Sequence, residues 1–353
     1  MKTVTLLETT IRDGSYEIDF SFTSSDVRLI CRRLEDAGVE YIEIGHGVGL
    51  HASESGFGRA IQSDEEYMIA AEQVLTKATY GMFCIPGIAR LEDLDLAKRH
   101  GMGFVRIGTN VSDVPASEPF IRTAKRHGMF VAANYMKSYA VSPEEFARNV
   151  KLSEGYGADM VYIVDSAGGM FAEDIERYFK AIRAVSDIPV GFHAHDNLGL
   201  AVSNSIAAAD MGIQFVDASL QGLGRSAGNA VTEILVAALL KRGYHMDLDI
   251  LKLFEIGQDY IQPLLRVRGR MPLDITSGFA EFHSSYMPHI QACAAKFNVN
   301  PILLIIEMCK IDKVNLDVAK LEDIAKRMQG GEEIYFGKFG FDRYVGGEQE
   351  RPA

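Results

Sequence analysis

"IPVGFHAHDNLGLAVSNS", residues 188–205, opens as a short apolar strand and closes as a helix, with His193, His195, Asp196 and Asn197 crowded at the join. An apolar run too short for a helix, passing into a helical segment with no hairpin turn between, is one strand and helix unit of a parallel sheet. Side chains able to hold a metal or move a proton are unexpected inside a buried strand. Gathered at its carboxyl end, they mark a site.

The same unit recurs along the chain. Strand-like stretches are "VTLLETT", "VEYIEIGH", "TYGMFCIP", "GFVRIGTN", "MFVAANYM", "DMVYIVDS", "IPVGFHAH" and "QFVDASLQ". Between them lie amphipathic segments such as "SSDVRLICRRLEDAG", "LEDLDLAKRHG", "ASEPFIRTAKRHG" and "SPEEFARNVKLSEGYG", several with Ser or Asp at the start and Gly at the stop. Eight such alternations predict an α/β fold closed as a TIM (β/α)8 barrel. An open doubly wound sheet would carry a glycine-rich fingerprint directly after its first strand, where this chain has "TIRDGSYE". "GNAVTEILVAALLKRG" supplies the last barrel helix, after which the alternation stops. "SSYMPHIQACAAKFNVN", "PILLIIEMCKI" and "VAKLEDIAKRM" then read as helices. The expected division is a catalytic barrel over residues 1–242 and a helical C-terminal region over residues 243–353, whose last stretch from Gly330 onward frays.

Composition narrows the function. The chain has 353 residues, 47% of them hydrophobic, enough for a barrel of roughly 250 residues plus an appendage. A net charge of −12 disfavours nucleic acid, whose binding depends on neutralising phosphates with Lys and Arg. The four cysteines are scattered and form no C-x-x-C pair, so reduced thiols are expected. "MKTVTLLETTIRDG" lacks the apolar core of a secretory signal, and no stretch approaches the roughly 18 apolar residues of a membrane span. A cytoplasmic enzyme with no membrane partner is the expectation.

Alternation along a strand puts His193 and His195 on one face, where their rings can aim at one point. Asp13, ending the first strand with Arg12, lies two strands away across the eighth, about 10 Å between backbones, a gap that an ion shared by an aspartate and an imidazole can bridge. One carboxylate and two imidazoles without a thiolate suit Mn²⁺, Mg²⁺, Co²⁺ or Zn²⁺, and leave open positions for a chelating substrate. Arg12 offers a guanidinium to an oxygen that becomes negative, as in an enolate; its alternative is a structural ion pair at the barrel mouth. Glu43, His46, Asp165 and Ser166 also fall at strand ends. His46 and His51 are either entrance groups or structural loop histidines. "GLGRSAGNA", residues 222–230, is either a phosphate cradle or a close approach of backbone to the metal, with Asn229 contacting it.

"TTIRDG", "HAHDNLGLAVSNS" and "GLGRSAGNA" together resemble the metal-dependent lyase TIM barrels that include 3-hydroxy-3-methylglutaryl-CoA lyase, the isopropylmalate synthases and 4-hydroxy-2-oxovalerate aldolase. "EIGHGVGLHASESGFG", "VDSAGG" and "SGFAEFHSSYMPHIQACAAKFNV" extend the resemblance to the aldolase family in particular, over nearly the entire chain. The resemblance implies cleavage of a 4-hydroxy-2-oxo acid to pyruvate and an aldehyde through a pyruvate enolate, with Mn²⁺, or Mg²⁺ or Co²⁺ in its place. Asp13, His193 and His195 are the implied ligands, Arg12 the enolate stabiliser, and Ser166 and His193 further substrate contacts. A homo-oligomer is expected, and the family's helical region implies an acylating aldehyde dehydrogenase partner. "PILLIIEMC" is apolar enough for such an interface or for an internal core.

The chain departs from this family at two places. The aldolases carry a histidine two residues beyond "RDG", where it takes the proton of the 4-hydroxyl, but here that residue is Tyr16. Where the family has tyrosine in its G-V-Y-S-S-F segment, this chain has His283. The expectation is that His283, relayed through Tyr16, acts as general base, because histidine titrates near neutrality and an unperturbed tyrosine near 10 does not. An acyl-coenzyme A dependent Claisen-type synthase is the second reading. A catalytically altered barrel serving as a regulatory or scaffold subunit is the third.

Overall fold

The computed structural model describes residues 2–265, 272–330 and 341. Eight parallel strands close into a barrel in chain order: β1 (Thr5–Glu8), β2 (Tyr41–Glu43), β3 (Thr79–Cys84), β4 (Phe104–Asn110), β5 (Phe130–Met136), β6 (Met160–Asp165), β7 (Val190–Ala194) and β8 (Phe215–Ala218). Each lies inside one of the eight expected apolar stretches. Closure is made by β8 against β1, with Thr5 opposite Phe215 and Glu8 opposite Ala218. Helices α1 (Ser24–Asp36), α2 (Asp64–Glu72), α3 (Leu91–Arg99), α4 (Glu118–Arg126), α5 (Pro143–Tyr156), α6 (Ala172–Arg183), α7 (Ala201–Met211) and α8 (Thr232–Lys241) complete the alternation.

Local chemistry starts and stops these helices. Thr23 and Asp26 form a reciprocal capping box at α1, and Ser63 and Glu66 form another at α2. At α5 the Ser142 side chain caps Glu145 N–H, Pro143 takes the first helical position, and Gly157 ends the helix.

The barrel interior is layered by the two-residue alternation of its strands. At the amino-terminal end, Tyr41 meets Phe104 and Phe215 edge-on at 5.9 and 5.3 Å, and Phe130 stacks on Phe215 at 6.4 Å. Two residues further along, the same inward faces carry Glu43, Arg106 and Asp217. The Arg106 guanidinium lies 4.4 Å from the Tyr162 ring centre. Tyr162 has Gly191 opposite it on β7, where any Cβ would come within 2.4 Å of the ring. An aromatic plug therefore closes the bottom, a charged layer fills the middle, and the carboxyl ends of the strands are left for the site.

Beyond the barrel, Tyr244–His245 pairs in parallel with Lys2–Thr3, and α9 (Ile250–Ile256) contributes Leu253 and Ile256 to the barrel's apolar cluster, as does the nearby Ile261. A second cluster, including Leu273, Phe282, Ile290, Leu304 and Leu321, is built from α10 (Pro272–Ala280), α11 (Met287–Phe297), α12 (Pro301–Cys309) and α13 (Val318–Met328). In α12, Leu304, Ile305, Met308 and Cys309 are buried in this cluster while Leu303 stays exposed, so most of "PILLIIEMC" is internal core. The terminal stretch expected to fray lies, except for Gly330 and Phe341, outside the described residues. All four cysteines are buried free thiols. Among the described residues, no helix is long and apolar enough to cross a membrane.

Lys137 ties the two clusters together. It follows β5 and is buried, and its Nζ donates to the Val314 carbonyl at 2.7 Å and to the Tyr286 hydroxyl at 3.0 Å. Lys137→Met removes both charge-assisted bonds and is expected to lower unfolding stability by about 1.5–3 kcal/mol in urea titration. An unchanged midpoint and slope would show that this contact does not hold the helical region in place.

Candidate active site

After β1 the chain turns inward through Thr9, whose carbonyl accepts from the Arg12 and Asp13 amides at 3.1 and 2.8 Å. Asp13 then opens a short 3-10 helix, Asp13–Ile18. Arg12 and Asp13 thus stand on this turn beyond Glu8, where β1 stops, and not on the strand end itself, which corrects the sequence reading. The turn folds Asp13 over the barrel. Its Oδ1 accepts from Arg12 Nη1 at 2.7 Å and its Oδ2 from Asn229 Nδ2 at 2.6 Å. Burial pushes the Asp13 carboxyl up, but Arg12, His195, His193 and Arg225 together outweigh it and hold the group well below the usual carboxylate range.

His193 lies in β7 and His195 just past it, their ring centres 5.1 Å apart. His193 Nδ1 is 2.9 Å from Asp217 Oδ2, and His195 Nδ1 is 3.2 Å from the Gly228 carbonyl. Both of those partners only accept, so each imidazole carries a proton on Nδ1 and presents Nε2 to a ligand. Burial drives the pKa of His195 down to about 3 against the pull of Asp13, which leaves the ring neutral at physiological pH. One donor atom each from Asp13, His193 and His195 lies within 4.8 Å of the others, and all three residues are buried. A carboxylate and two imidazoles fit a divalent cation. Asn229 Oδ1, buried on a side chain that touches Asp13 and without a hydrogen-bond partner among the described residues, adds an oxygen beside them.

A chain of ion pairs holds this cluster from below. Arg12 Nε donates to Glu43 Oε2 at 2.7 Å, Arg106 Nη1 is 3.4 Å from the same oxygen and 2.5 Å from Asp217 Oδ2, and Arg106 Nη2 donates to Asn134 Oδ1 at 2.9 Å. Arg12 is therefore an ion-pair partner and a wall of the cavity at once. That cavity is lined by Asp13, His193, His195, Arg12, Arg106, Tyr16, Ser166 and Arg225 among others. Ser166 Oγ accepts from the Lys137 amide at 2.9 Å and retains its own proton to donate.

Tyr16 is buried, edge-on to Phe20 at 5.3 Å, and so close to Gly47 that a Cβ there would lie 2.5 Å from its ring. His283 does not line the cavity. Arg225 Nη2 lies 3.0 Å from His283 Nε2, and His283 Nδ1 lies 2.7 Å from Ser285 Oγ. Arginine and the Ser285 amide can only donate: Arg225 Nη2 faces Nε2, Arg225 Nη1 lies 3.4 Å from Nδ1, and the Ser285 amide donates to Nδ1 at 3.3 Å. Burial, then Arg225, holds the imidazole well below its ordinary pKa. His283, expected to act as a base relayed through Tyr16, is thus engaged by a permanently charged donor, Arg225, which itself lines the cavity.

Other residues at the strand ends are structural. His46 accepts from the Val48 amide at 3.1 Å, contacts the Gly58 carbonyl at 3.1 Å and stacks on Phe20 at 3.8 Å. His51 lies 3.8 Å from both Glu54 and Asp93. Asp165 accepts from the Gly169 and Met170 amides, Asp196 from the Ala201 amide, and Asn197 donates to Ser226 and to the Asp274 carbonyl. The sequence reading passed over Arg106, Asp217, Asn134 and Arg225. The signal was present for the first two: a charge inside "GFVRIGTN" and "QFVDASLQ", in each case on an inward parity.

A model of the HMGL-like family matches residues 3–259. The 4-hydroxy-2-oxovalerate aldolase of Carboxydothermus hydrogenoformans is 36% identical over 327 residues, covering 92% of this chain and 97% of that protein. The chain belongs to the HMGL-like family, among its 4-hydroxy-2-oxovalerate aldolase relatives. The enzyme of the same name from Geobacillus genomosp. 3 is 38% identical over 306 residues, covering 86% of this chain and 91% of its own. The HMG-CoA lyase structure from Brucella melitensis superposes with a TM-score of 0.66 at 19% identity, over 76% of this chain and 100% of that one, a likeness of fold.

Asp217→Leu, which removes the acceptor that fixes His193, is expected to weaken Mn²⁺ binding in calorimetric titration by about 10- to 100-fold. His195→Ala should weaken it further, and binding unchanged in both variants would remove the cluster as the metal site. Gly47→Ala pushes against the Tyr16 ring and should lower turnover while leaving Mn²⁺ affinity within about threefold, since Tyr16 lies outside the three ligands.

Proposed function

We propose that this chain is a divalent-metal-dependent aldolase, a carbon–carbon lyase that splits a 4-hydroxy-2-oxo acid into pyruvate and an aldehyde through a pyruvate enolate. The observation that carries it is the cluster of Asp13, His193 and His195 opening onto a cavity walled by Arg12, in a chain that matches curated 4-hydroxy-2-oxovalerate aldolases over almost their whole length. A cation held by these three residues, Mn²⁺ in this reading with Mg²⁺ or Co²⁺ as substitutes, supplies Lewis acidity toward the 2-oxo acid.

The chain's own residues account for the remaining steps. Cleavage breaks the bond between C3 and C4, leaves its electron pair on the pyruvate half and requires the 4-hydroxyl to lose its proton. Arg12, fixed by Glu43 and Asp13, donates to the oxygen that gains charge, with little reorganisation because its geometry is already set. Ser166 and His193 bound the side of the cavity where the 2-oxo acid sits. Tyr16 is the proton-handling group in direct reach of the 4-hydroxyl. A guanidinium cannot relay a proton near neutral pH, so His283 serves by fixing Arg225 and not as the direct base. The division into a catalytic barrel and a helical region at residues 242 and 243 belongs to the same reading. So do a cytoplasmic setting, a homo-oligomer and, from the family resemblance, an acylating aldehyde dehydrogenase partner.

The Claisen-type synthase is not favoured, because curated relatives that match most of the chain are 4-hydroxy-2-oxovalerate aldolases. With Mn²⁺ and no acyl-coenzyme A, the enzyme is expected to exchange the methyl protons of pyruvate with solvent deuterium, followed by NMR. Exchange that appears only with acetyl-coenzyme A would support the synthase, and no exchange under either condition would support a scaffold. Tyr16→Phe is expected to lower retro-aldol turnover by about 100-fold or more, the range of a general acid–base group. His283→Phe should cost less, and the reverse order would restore His283 as base.

A further inference from the structure

We propose that Arg225 contacts the aldehyde half of the substrate and selects an aldehyde that carries a carboxylate, so that the molecule cleaved is a 4-hydroxy-2-oxo acid with a second acidic group. This rests on the aldolase reading above and names its substrate class.

Arg225 is 5% exposed and lines the same cavity as Asp13, His195 and Tyr16. The loop that carries it is tightly built. The Asn229 amide donates to the Gly222 carbonyl at 3.1 Å and the Gly228 amide to the Arg225 carbonyl at 3.0 Å. A Cβ at Gly228 would lie 2.2 Å from the Gly222 oxygen, and Ser226 is held at φ 59, a left-handed conformation that costs a non-glycine residue energy. Ser226 Oγ is pinned by Asn197 Nδ2 at 2.9 Å. The backbone on either side is thereby over-determined, and residue 225 is directed inward.

The guanidinium is also gripped from behind. His283 Nε2 takes Nη2 at 3.0 Å, and Ser285 locks the ring with its hydroxyl at 2.7 Å. On the cavity side, the Arg225 Cζ lies 5.8 Å from the centre of the Tyr16 ring. Tyr16 marks the 4-hydroxyl end of the substrate, so the group attached to C4, which becomes the aldehyde's substituent, falls beside Arg225. The 2-oxo acid end faces Arg12 and Ser166. A planar, permanently charged fork fits a carboxylate in two-point contact, whereas the methyl of acetaldehyde would desolvate it and return nothing.

The test uses the full-length enzyme with Mn²⁺ and pyruvate in the condensation direction. Each acidic aldehyde is paired with a neutral one of equal carbon number: glyoxylate with acetaldehyde, 3-oxopropanoate with propanal, 4-oxobutanoate with butanal. The expected result is a kcat/KM at least about tenfold higher for the acidic member of one pair or more, the value of a hydrogen bond to a charged group. Arg225→Met should cut that ratio by about 10- to 100-fold, Arg225→Lys by less, and His283→Phe should erode it while the charge remains. The proposal is overturned if the wild type prefers the neutral member of every pair, if glycolaldehyde is preferred to all the acids, or if neither Arg225 variant changes the ratio. Pyruvate methyl exchange in the wild type is the separate control. Its absence removes the aldolase reading and this proposal with it, whereas exchange without an acid preference removes the proposal alone.

Discussion

A buried arginine in the middle of the barrel is the constraint on which the site depends. Arg106 is fully enclosed, and an unpaired guanidinium there would cost several kcal/mol in lost hydration. It is tolerated because Asp217 and Glu43 both reach it, Asn134 takes a further N–H, and Tyr162 offers its ring face. Such a network adds little net stability over a well-packed apolar layer, but removing one member leaves the others charged and alone. Its value here is positional: every carboxylate that balances Arg106 also fixes a residue of the site above.

The consequences run upward through single bonds. Asp217 sets the His193 tautomer, and Glu43 holds Arg12, which in turn braces Asp13. The loop after β8 contributes from the other side. Its Gly228 carbonyl orients His195, its Asn229 amide touches Asp13, and its Arg225 closes the wall beside Tyr16. The three candidate ligands, Arg12 and Arg225 are therefore positioned by one charged layer and one strained loop. Pre-organisation of this kind lets groups act on developing charge without first rearranging.

Much of the fold was legible because it rests on short-range rules. Apolar runs of strand length, Ser, Thr and Gly at helix ends, and the absence of hairpin turns specify alternating units, and eight of them close into a barrel. The polar residues of "HAHDN" were legible as a cluster but not one by one. His193 and His195 face the cavity, while Asp196 and Asn197 bind loops. What could not be read was pairing across the barrel. Nothing local says that Arg106 meets Asp217, 111 residues away, or that Arg225 would occupy the lone pair of His283. Two residue types apparently exchanged between sequence positions suggested exchanged roles. The structure puts Tyr16 on the cavity wall and His283 against Arg225, which also lines the cavity.

The account turns on where a cation sits. Crystals soaked in Mn²⁺ and measured near the manganese absorption edge would give its position directly from anomalous differences. One peak about 2 Å from the Asp13 carboxylate and from Nε2 of both His193 and His195 is the result predicted here. A peak elsewhere, or imidazoles that meet the ion through Nδ1 and so abandon Asp217 and Gly228, would contradict it.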